Sequence, residues 1–330
     1  MKLGSLKEGD RDGTLIVVNR GLTRAVRATA IAPTLQSALE DWSNAAPRLN
    51  ALAQALAENR ADGAFDLDVA ALAAPLPRAY EFVDGSAYLP HVERVRRARG
   101  AEVPASFYTD PLMYQATSAG FLGPRDPILA ASEAWGIDLE AEVVVVTDDV
   151  AMGVGATNAA RHIQLVGLVN DVSLRGLIPG ELAKGFGFLQ SKPRSALSPV
   201  FVTPDEFGNA WQGSKLQLPM RTWINGQWFG EAECGVDMQF SFADLIVHIA
   251  KTRPLSAGTL VGSGTIANED VSKGASCLAE QRTVETLRDG KPTTPFLKFG
   301  DSVRIEITDA AGASLFGAIE QTVTRYHAPE

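Results

Sequence analysis

The strongest constraint on how this chain folds is the stretch 139–146, which reads Leu-Glu-Ala-Glu-Val-Val-Val-Val. Four consecutive valines predict a strand that is buried on both faces. Alternate residues of a strand point to the same face, so Glu140 and Glu142 would direct two carboxylates together into the protein. Buried carboxylates repel each other unless a cation lies between them. The stretch therefore predicts a hard divalent ion with oxygen ligands, Mg²⁺, Mn²⁺ or Ca²⁺, unless both residues are ordinary charges on a solvated strand face.

Length and charge limit the classes of protein to consider. The chain has 330 residues, of which 45% are hydrophobic, and a net charge of −9. This length favours one large domain with a smaller one. The basic residues form no long run, so nucleic-acid binding is disfavoured. The four histidines show no zinc-binding pattern.

The cellular location is predicted from what the sequence lacks. The two cysteines, Cys234 and Cys277, are far apart and have no metal-ligand spacing, as is usual in a reduced protein. The first ten residues lack the apolar core of a signal peptide, and no apolar run approaches the length of a membrane span. We therefore expect a cytoplasmic protein without a membrane partner.

The N-terminal part of the chain predicts a small α+β domain. Short strands at 14–18 and 23–29 precede a helical stretch, 34–58, in which leucines recur at helical spacing and Pro47 interrupts. The residues that follow show no clear periodicity and lead to a linker near Pro77, where a second domain would begin. The predicted domains are a small N-terminal domain at residues 1–75 and a catalytic domain at residues 76–330.

A histidine at the start of a helix is a candidate base. Pro90 is suited to open a helix, which then runs to Arg99 and ends at Gly100. His91 would lie in the first turn, where the helix macrodipole disfavours its protonated form. A neutral imidazole there could accept a proton, although a histidine on a solvated helix start is an equally good interpretation.

Two further charged residues are candidates for the same site. Asp171 follows an apolar strand at 163–169, where it could join a site or cap the following segment. Lys192 precedes a proline-rich stretch and is either a cation for an anionic substrate or a surface lysine.

Other candidates are weaker. Tyr114 and Gln115 are polar residues in a stretch that glycines and prolines divide into loops. Gly264 belongs to the strand 260–266, whose glycines would let the backbone approach a ligand closely.

Four motifs in this order resemble those of the fumarylacetoacetate hydrolase superfamily, across roughly residues 78–326. They are Leu-Glu-Ala-Glu at 139–142, Val-Asn-Asp at 169–171, Gln-Ser-Lys-Pro at 190–193 and Gly-Ser-Gly-Thr-Ile at 262–266. The resemblance implies an α+β, mostly β fold: a mixed β-sandwich roll behind the small N-terminal domain. It also implies a homodimer, a divalent ion on inward carboxylates and a place in the catabolism of aromatic compounds.

The resemblance also implies roles for individual residues. Asp84 precedes His91 by seven residues, as in the longer hydrolase members of the superfamily, whereas Ser86 replaces the tyrosine expected two residues after that aspartate. Glu280 is the nearest match to the glutamate that orients the catalytic histidine. The implied metal ligands are Asp84, Glu140, Glu142 and Asp171, and the implied catalytic residues are His91, Glu280 and Lys192. The resemblance implies that Arg175 and Thr265 bind substrate, and the residue pattern adds Gly264, Tyr114 and Gln115 as substrate-binding candidates.

The sequence is therefore interpreted as a divalent-metal-dependent hydrolase. Its partner would be a small 1,3-dioxo acid, similar to fumarylacetoacetate or an acylpyruvate, whose carbon–carbon bond is cleaved by a water that His91 activates. An alternative keeps the metal and an enolate bound to it but not the water, as in a 2-oxo acid decarboxylase, tautomerase or hydratase. A binding module that has lost turnover is a third possibility.

Overall fold

The structure, a computed structural model, describes residues 1–98, 100 and 102–329. The predicted end of the His91 helix at Arg99 lies outside the described residues. Within the described range that helix extends from Leu89 to Ala98, so Pro90 is its second residue and not its first.

The strands and helices alternate irregularly along the chain. The strands are β1 (Lys2–Leu6), β2 (Thr14–Val18), β3 (Arg24–Arg27), β4 (Phe65–Asp66), β5 (Phe82–Gly85), β6 (Met113–Gln115), β7 (Ile128–Ala130), β8 (Ile137–Asp138), β9 (Ala141–Thr147), β10 (Ile163–Asn170), β11 (Ser173–Leu174), β12 (Ala196–Leu197), β13 (Phe201–Val202), β14 (Trp211–Gln212), β15 (Lys215–Leu216), β16 (Pro219–Ile224), β17 (Gln227–Glu233), β18 (Leu260–Gly262), β19 (Ser302–Glu306) and β20 (Ile319–Arg325). The helices are α1 (Leu35–Glu40), α2 (Trp42–Ala57), α3 (Leu89–Ala98), α4 (Ala156–Ala159), α5 (Ile178–Leu182), α6 (Phe242–Ile249) and α7 (Leu278–Asp289).

Most strands belong to two sheets. The larger sheet has the order β4-β3-β2-β1-β13-β10-β9-β18-β5-β6, with β12 also paired to β10, and the smaller has the order β17-β16-β19-β20-β7. The N-terminal strands are therefore continuous with the sheet of the C-terminal part, through the pairing of β1 with β13. The predicted α+β, mostly β fold class is confirmed. The predicted boundary between residues 75 and 76 stays a prediction.

Strand β9 lies in the interior of the larger sheet, and all its residues are buried. Val143 and Val145 contribute to the core on one face, whereas Val144 and Val146 contribute to the core on the other. The second core is closed by α1 and α2, whose Leu35 is fully buried. The four valines are thus buried on both faces, as the sequence predicts.

The helical stretch near the N-terminus is interrupted at a different residue from the one predicted. Asp41 has non-helical dihedral angles and separates α1 from α2, while Pro47 lies inside α2. The leucine face of α2, which includes Leu49 and Leu56, is buried against the sheet. This packing stabilises the helix despite the hydrogen bond that a proline removes.

Asn225 and Gly226 both have positive φ and join β16 to β17 in a two-residue hairpin turn. Among the described helices, none combines the length and the apolar character needed to cross a membrane.

The packing of β10 against β13 suggests a test of the core. A Cβ added at Gly167 would overlap the ring of Phe201, which is fully buried. We expect Gly167→Ala to lower the free energy of unfolding by about 1–3 kcal/mol, the usual effect of overpacking a core. Urea denaturation measures this change. Gly180→Ala is the matched control, because no heavy atom lies within 4 Å of the added Cβ, and an equal loss in both variants would contradict this account of the core.

Candidate active site

The candidate site is formed where strand ends meet at one edge of the larger sheet. Gly262 of β18 pairs with Asp84 of β5 on one side and with Val144 of β9 on the other. On the far side of β9, Glu142 pairs with Val169 of β10. The C-terminal ends of β5, β18 and β10 therefore lie beside the first residues of β9.

Residue alternation brings three carboxylates to the same face. Phe82, Val144 and Val169 all belong to the core closed by α1 and α2. Asp84, Glu142 and Asp171 are each two residues away from one of these and therefore continue the same face. Each of the three offers a carboxylate oxygen, and these oxygens lie within 4.8 Å of one another.

The buried carboxylates fit a divalent cation. Both carboxylate oxygens of Glu142 are buried and, among the described residues, have no hydrogen-bond partner. Burial, followed by the negative charge of Asp171, raises the pKa of Asp84 to about 7. Burial and then the charge of Asp84 raise the pKa of Glu142 well above its usual value. A hard cation with oxygen ligands would compensate this unpaired negative charge.

Glu140 lies between β8 and β9 and is held by two cations. Its Oε1 accepts a hydrogen bond from Arg175 Nη2 at 2.6 Å, and its Oε2 accepts one from Lys192 Nζ at 2.5 Å. Burial would raise the pKa of Glu140, but Arg175 and Lys192 hold it below its usual value. Glu140 faces the same cavity as Glu142, but it is not one of the three clustered carboxylates. Its predicted role as a metal ligand stays a prediction.

Asp171 connects the carboxylate cluster to three neighbouring side chains. Its Oδ2 accepts hydrogen bonds from Tyr114 Oη at 2.5 Å and from Lys192 Nζ at 2.6 Å, and its Oδ1 accepts one from Ser195 Oγ at 2.6 Å. The Asp171 side chain therefore belongs to the site and does not cap the following segment. Lys192 is buried and is not a surface lysine.

The sequence predicts that two adjacent polar residues, Tyr114 and Gln115, contribute to the site. In the structure only Tyr114 lines the cavity. Both residues lie on strand β6, where adjacent side chains point to opposite faces. Tyr114 pairs with Asp84 and lines the cavity. Gln115 is exposed, donates a hydrogen bond to Glu81 at 3.0 Å and does not line this cavity. The structure therefore does not support the prediction that Gln115 binds substrate at this site.

His91 lines the same cavity, and its ring contacts Glu280. Its Nδ1 is 2.5 Å from Glu280 Oε2, and Arg94 Nη1 donates to Glu280 Oε1 at 2.6 Å. Burial would raise the pKa of Glu280, but His91 and Arg94 lower it below its usual value. Because an ionised carboxylate can only accept, Nδ1 of His91 carries a proton, and in the neutral imidazole Nε2 is the acceptor.

The two glycines before Thr265 allow the backbone to approach Asp84. A Cβ at Gly262 would overlap the Asp84 carboxylate, and one at Gly264, which has φ of +77°, would overlap the carbonyl oxygen of Gly85. The amide of Gly264 donates to Asp84 Oδ1 at 3.2 Å. Gly264 and Thr265 both line the cavity, and their predicted contacts with a substrate stay a prediction.

Sequence reasoning missed Arg94, Asp138 and Ser195. Arg94 follows His91 by three residues and therefore lies on the same face of α3, a spacing that could have indicated it. Asp138 accepts hydrogen bonds from the amides of Leu278 and Ala279 at the start of α7 and from Arg175 Nε. Asp138 thus holds Arg175 and the helix that carries Glu280. No local sequence pattern indicates this role, because its partners are distant along the chain.

The cavity has a volume of about 240 Å³ and is lined by charged and apolar groups together. His91, Arg175 and Lys192 provide nitrogen atoms around the carboxylates, while Ile178 and Phe188 add apolar surface. This arrangement can bind an anionic substrate beside a cation and places a base next to it.

A curated relative and several solved structures are similar to this chain. The 2,4-didehydro-3-deoxy-L-rhamnonate hydrolase of Sphingomonas sp. (strain SKA58) is 26% identical over 202 residues, which are 60% of this chain and 62% of that protein. The chain thus aligns with less than two thirds of the length of that relative.

The solved structures share the fold at low sequence identity. Fumarylacetoacetate hydrolase from psychrophilic Exiguobacterium antarcticum has a TM-score of 0.67 at 18% identity, with 99% of this chain and 100% of that chain covered. Maleylpyruvate hydrolase from Sphingobium sp. SYK-6, in complex with manganese(II) ion and pyruvate, has a TM-score of 0.65 at 16% identity, with the same coverage.

Two family models together account for most of the chain. Residues 1–78 match fumarylacetoacetase N-terminal domain 2, and residues 81–324 match the fumarylacetoacetate (FAA) hydrolase C-terminal family. The predicted resemblance is therefore confirmed, and the chain belongs to the fumarylacetoacetate hydrolase family.

Proposed function

We propose that this protein hydrolyses a carbon–carbon bond in a 2,4-dioxo acid, the acylpyruvate type of 1,3-dioxo compound. The observation that carries the proposal is the pairing of His91 with Glu280 at 2.5 Å, on the cavity that also holds Asp84 and Glu142. A base beside a buried carboxylate cluster is the arrangement that a water attack next to a metal requires. Two of the similar proteins are named as hydrolases, which supports this reaction class, while two others are named as isomerases.

Asp84, Glu142 and Asp171 would hold the divalent ion, which we propose to be Mg²⁺ or Mn²⁺. When bound, such an ion supplies Lewis acidity toward the oxygens of the dioxo acid. The maleylpyruvate hydrolase that was solved with manganese(II) ion and pyruvate supports this choice of metal ion. The residues of this chain then orient the substrate and move protons.

His91 acts as the general base. Its Nε2 takes a proton from water, and the resulting hydroxide adds to C4 of the 2,4-dioxo acid. The bond between C3 and C4 breaks, and its electron pair goes to C3 to give the enolate of a 2-oxo acid. That enolate takes up a proton at C3, so the products are a carboxylic acid and a 2-oxo acid. Glu280 stabilises the positive charge that His91 gains.

Lys192 and Arg175 stabilise the negative charge of the substrate and of the enolate. Burial would lower the pKa of Lys192, but Asp171 and Glu140 raise it above its usual value, so the ammonium group remains charged. Arg175 is fixed by Asp138 at 2.8 Å and by Glu140 at 2.6 Å. Cations that are fixed before the reaction need no reorganisation as charge develops.

The metal site can be tested without any substrate. We expect Glu142→Gln to weaken Mg²⁺ binding by at least about 10–100-fold, since it removes a carboxylate at the centre of the cluster. Isothermal titration calorimetry measures the affinity. Glu58→Gln, which changes an exposed glutamate, is the control. Unchanged affinity in Glu142→Gln would contradict the proposed ligand set.

Mg²⁺ affinity should also depend on pH. Because the raised pKa of Asp84 is about 7, the metal-free protein carries a proton on this carboxyl at lower pH. A cation must displace that proton, so we expect the affinity to rise as pH increases through about 7, with proton release below it. Calorimetry in buffers of different ionisation enthalpy detects the released proton. A pH-independent affinity would contradict this prediction.

His91 distinguishes hydrolysis from the alternative reactions. We expect His91→Ala to lower kcat for a 2,4-dioxo acid by about 10²–10⁴-fold, the usual contribution of a general base, while Mg²⁺ affinity stays nearly unchanged. Product analysis by NMR measures cleavage and, in D₂O, exchange at C3. The control is His162→Ala, since His162 pairs with Asp148 near the surface. Cleavage at the normal rate in His91→Ala would contradict the role of His91 as the base, whereas exchange at C3 without cleavage in the unaltered protein would favour a decarboxylase or tautomerase that needs no activated water.

Arg94 is a positioning residue that acts through Glu280. We expect Arg94→Gln to lower kcat by about 10–100-fold. Without the guanidinium of Arg94, the pKa of Glu280 should rise. The acid limb of the kcat/KM profile should therefore move to higher pH. A structural role alone would not move that limb. Arg97→Gln is the matched control on the same helix, since Arg97 bonds the surface residue Glu93.

A further inference from the structure

A second cavity adjoins the proposed reaction site. It has a volume of about 410 Å³ and lies between α3, α5 and α7. The two cavities share the side chains of His91, Arg175, Ile178 and Phe188. They therefore meet at the histidine that would activate water, and a group attached to the attacked carbonyl could extend from one into the other. We call this second cavity the acyl groove.

Nine of the 14 residues that line the acyl groove have apolar side chains. Several of the side chains are only partly buried and expose carbon atoms to the groove, and Leu182 is 46% exposed. The apolar residues that line it are Val95, Ala98, Ile178, Pro179, Leu182, Phe188, Ala279, Pro292 and Phe296. Such a surface binds hydrocarbon by removing it from water.

The polar groups of the acyl groove already have partners. Thr283 Oγ1 donates to the carbonyl of Ala279 at 2.8 Å, and Thr286 Oγ1 donates to the carbonyl of Arg282 at 2.7 Å. The guanidinium of Arg282 donates to the carbonyl of Thr294 and lies 4.4 Å from the centre of the Phe296 ring. Each of these side chains therefore already makes a contact within the protein, and the apolar part of the wall matches a hydrocarbon group.

The outer wall of the acyl groove is held in place by Glu181. This carboxylate accepts hydrogen bonds from the amides of Leu189, Gln190 and Ser191, at 3.0, 2.6 and 3.1 Å, and from the hydroxyl of Ser191. The loop that carries Phe188 is thereby tied to α5. A wall fixed in advance loses little conformational entropy when a ligand binds.

We propose that the acyl groove binds an extended apolar acyl group, so that the substrate is a 2,4-dioxo acid with a hydrocarbon chain or ring of several carbons beyond C4. This inference rests on the proposed function for the position of the attacked carbonyl beside His91. The polar head lies among Lys192, Arg175 and the carboxylates. Specificity then comes from the apolar part, which distinguishes this substrate from short or doubly charged acids.

The test uses binding, so it does not depend on turnover. Pyruvate, 2-oxohexanoate and 2-oxooctanoate share the polar head, lack the scissile bond and differ only in chain length. We expect affinity for the Mg²⁺-loaded protein to increase about fourfold per methylene, the ratio that corresponds to about 0.8 kcal/mol for a buried methylene, until the groove is filled. Isothermal titration calorimetry measures each dissociation constant.

A variant that fills the groove should abolish this increase. We expect Thr286→Phe to reduce the preference for 2-oxooctanoate over pyruvate by at least tenfold, since the ring would take the space of several methylenes. Leu287→Phe is the matched control on α7: Leu287 is 47% exposed and does not line the groove. Thermal melts of both variants confirm folding.

The outcomes separate this inference from the proposed function. If 2-oxooctanoate binds no more tightly than pyruvate, or if Thr286→Phe keeps the chain-length preference of the unaltered protein, the acyl groove is not a substrate site. If affinity increases with chain length but no 2,4-dioxo acid is cleaved, the result supports the acyl groove as a binding site and contradicts the hydrolytic function. Cleavage with no chain-length preference overturns the groove alone.

Discussion

Concentrated negative charge in the protein interior is the constraint around which the rest of the site is arranged. Asp84, Glu142 and Asp171 lie together on one face of a sheet where water cannot screen them. Two of these carboxyls bind protons more tightly than usual for that reason. Glu140 escapes the same effect because Arg175 and Lys192 bond it directly. The site therefore separates into a part that is neutralised by the protein's own cations and a part that a metal ion would neutralise.

The carboxylates could be predicted from the sequence because their positions follow from strand alternation. Glu142 precedes a run of buried valines and Asp171 ends an apolar strand, so a local pattern fixes the direction of each side chain. Glycines and prolines predict a loop around Gln115, whereas the residue lies on a short strand whose alternation directs it to the face opposite Tyr114. Pro47 does not interrupt its helix, because the burial of α2 outweighs the loss of one hydrogen bond.

The contacts that the sequence could not predict are those between segments distant along the chain. Arg94 bonds Glu280 across 186 residues, and Asp138 bonds the amide of Leu278 across 140 residues. No local pattern encodes the partner of a side chain that far away. The acyl groove has the same origin, since its walls come from three helices whose separate amphipathic faces do not reveal that they enclose a common space. The sequence therefore predicts the carboxylates of the reaction site, but it does not predict the shape of the groove that would select the substrate.

The parallel pairing of β18 with β5 has a consequence for how the protein reaches its native state. These strands are separated by about 175 residues of chain, yet Gly262 must lie beside Asp84 before the carboxylates face each other. Closing so long a loop is entropically unfavourable and slows folding relative to local contacts. The three carboxylates can therefore meet only after this long-range pairing has formed. A divalent ion that binds only the finished cluster would favour the folded chain by mass action, so metal supply during synthesis should influence the yield of native protein as well as its activity.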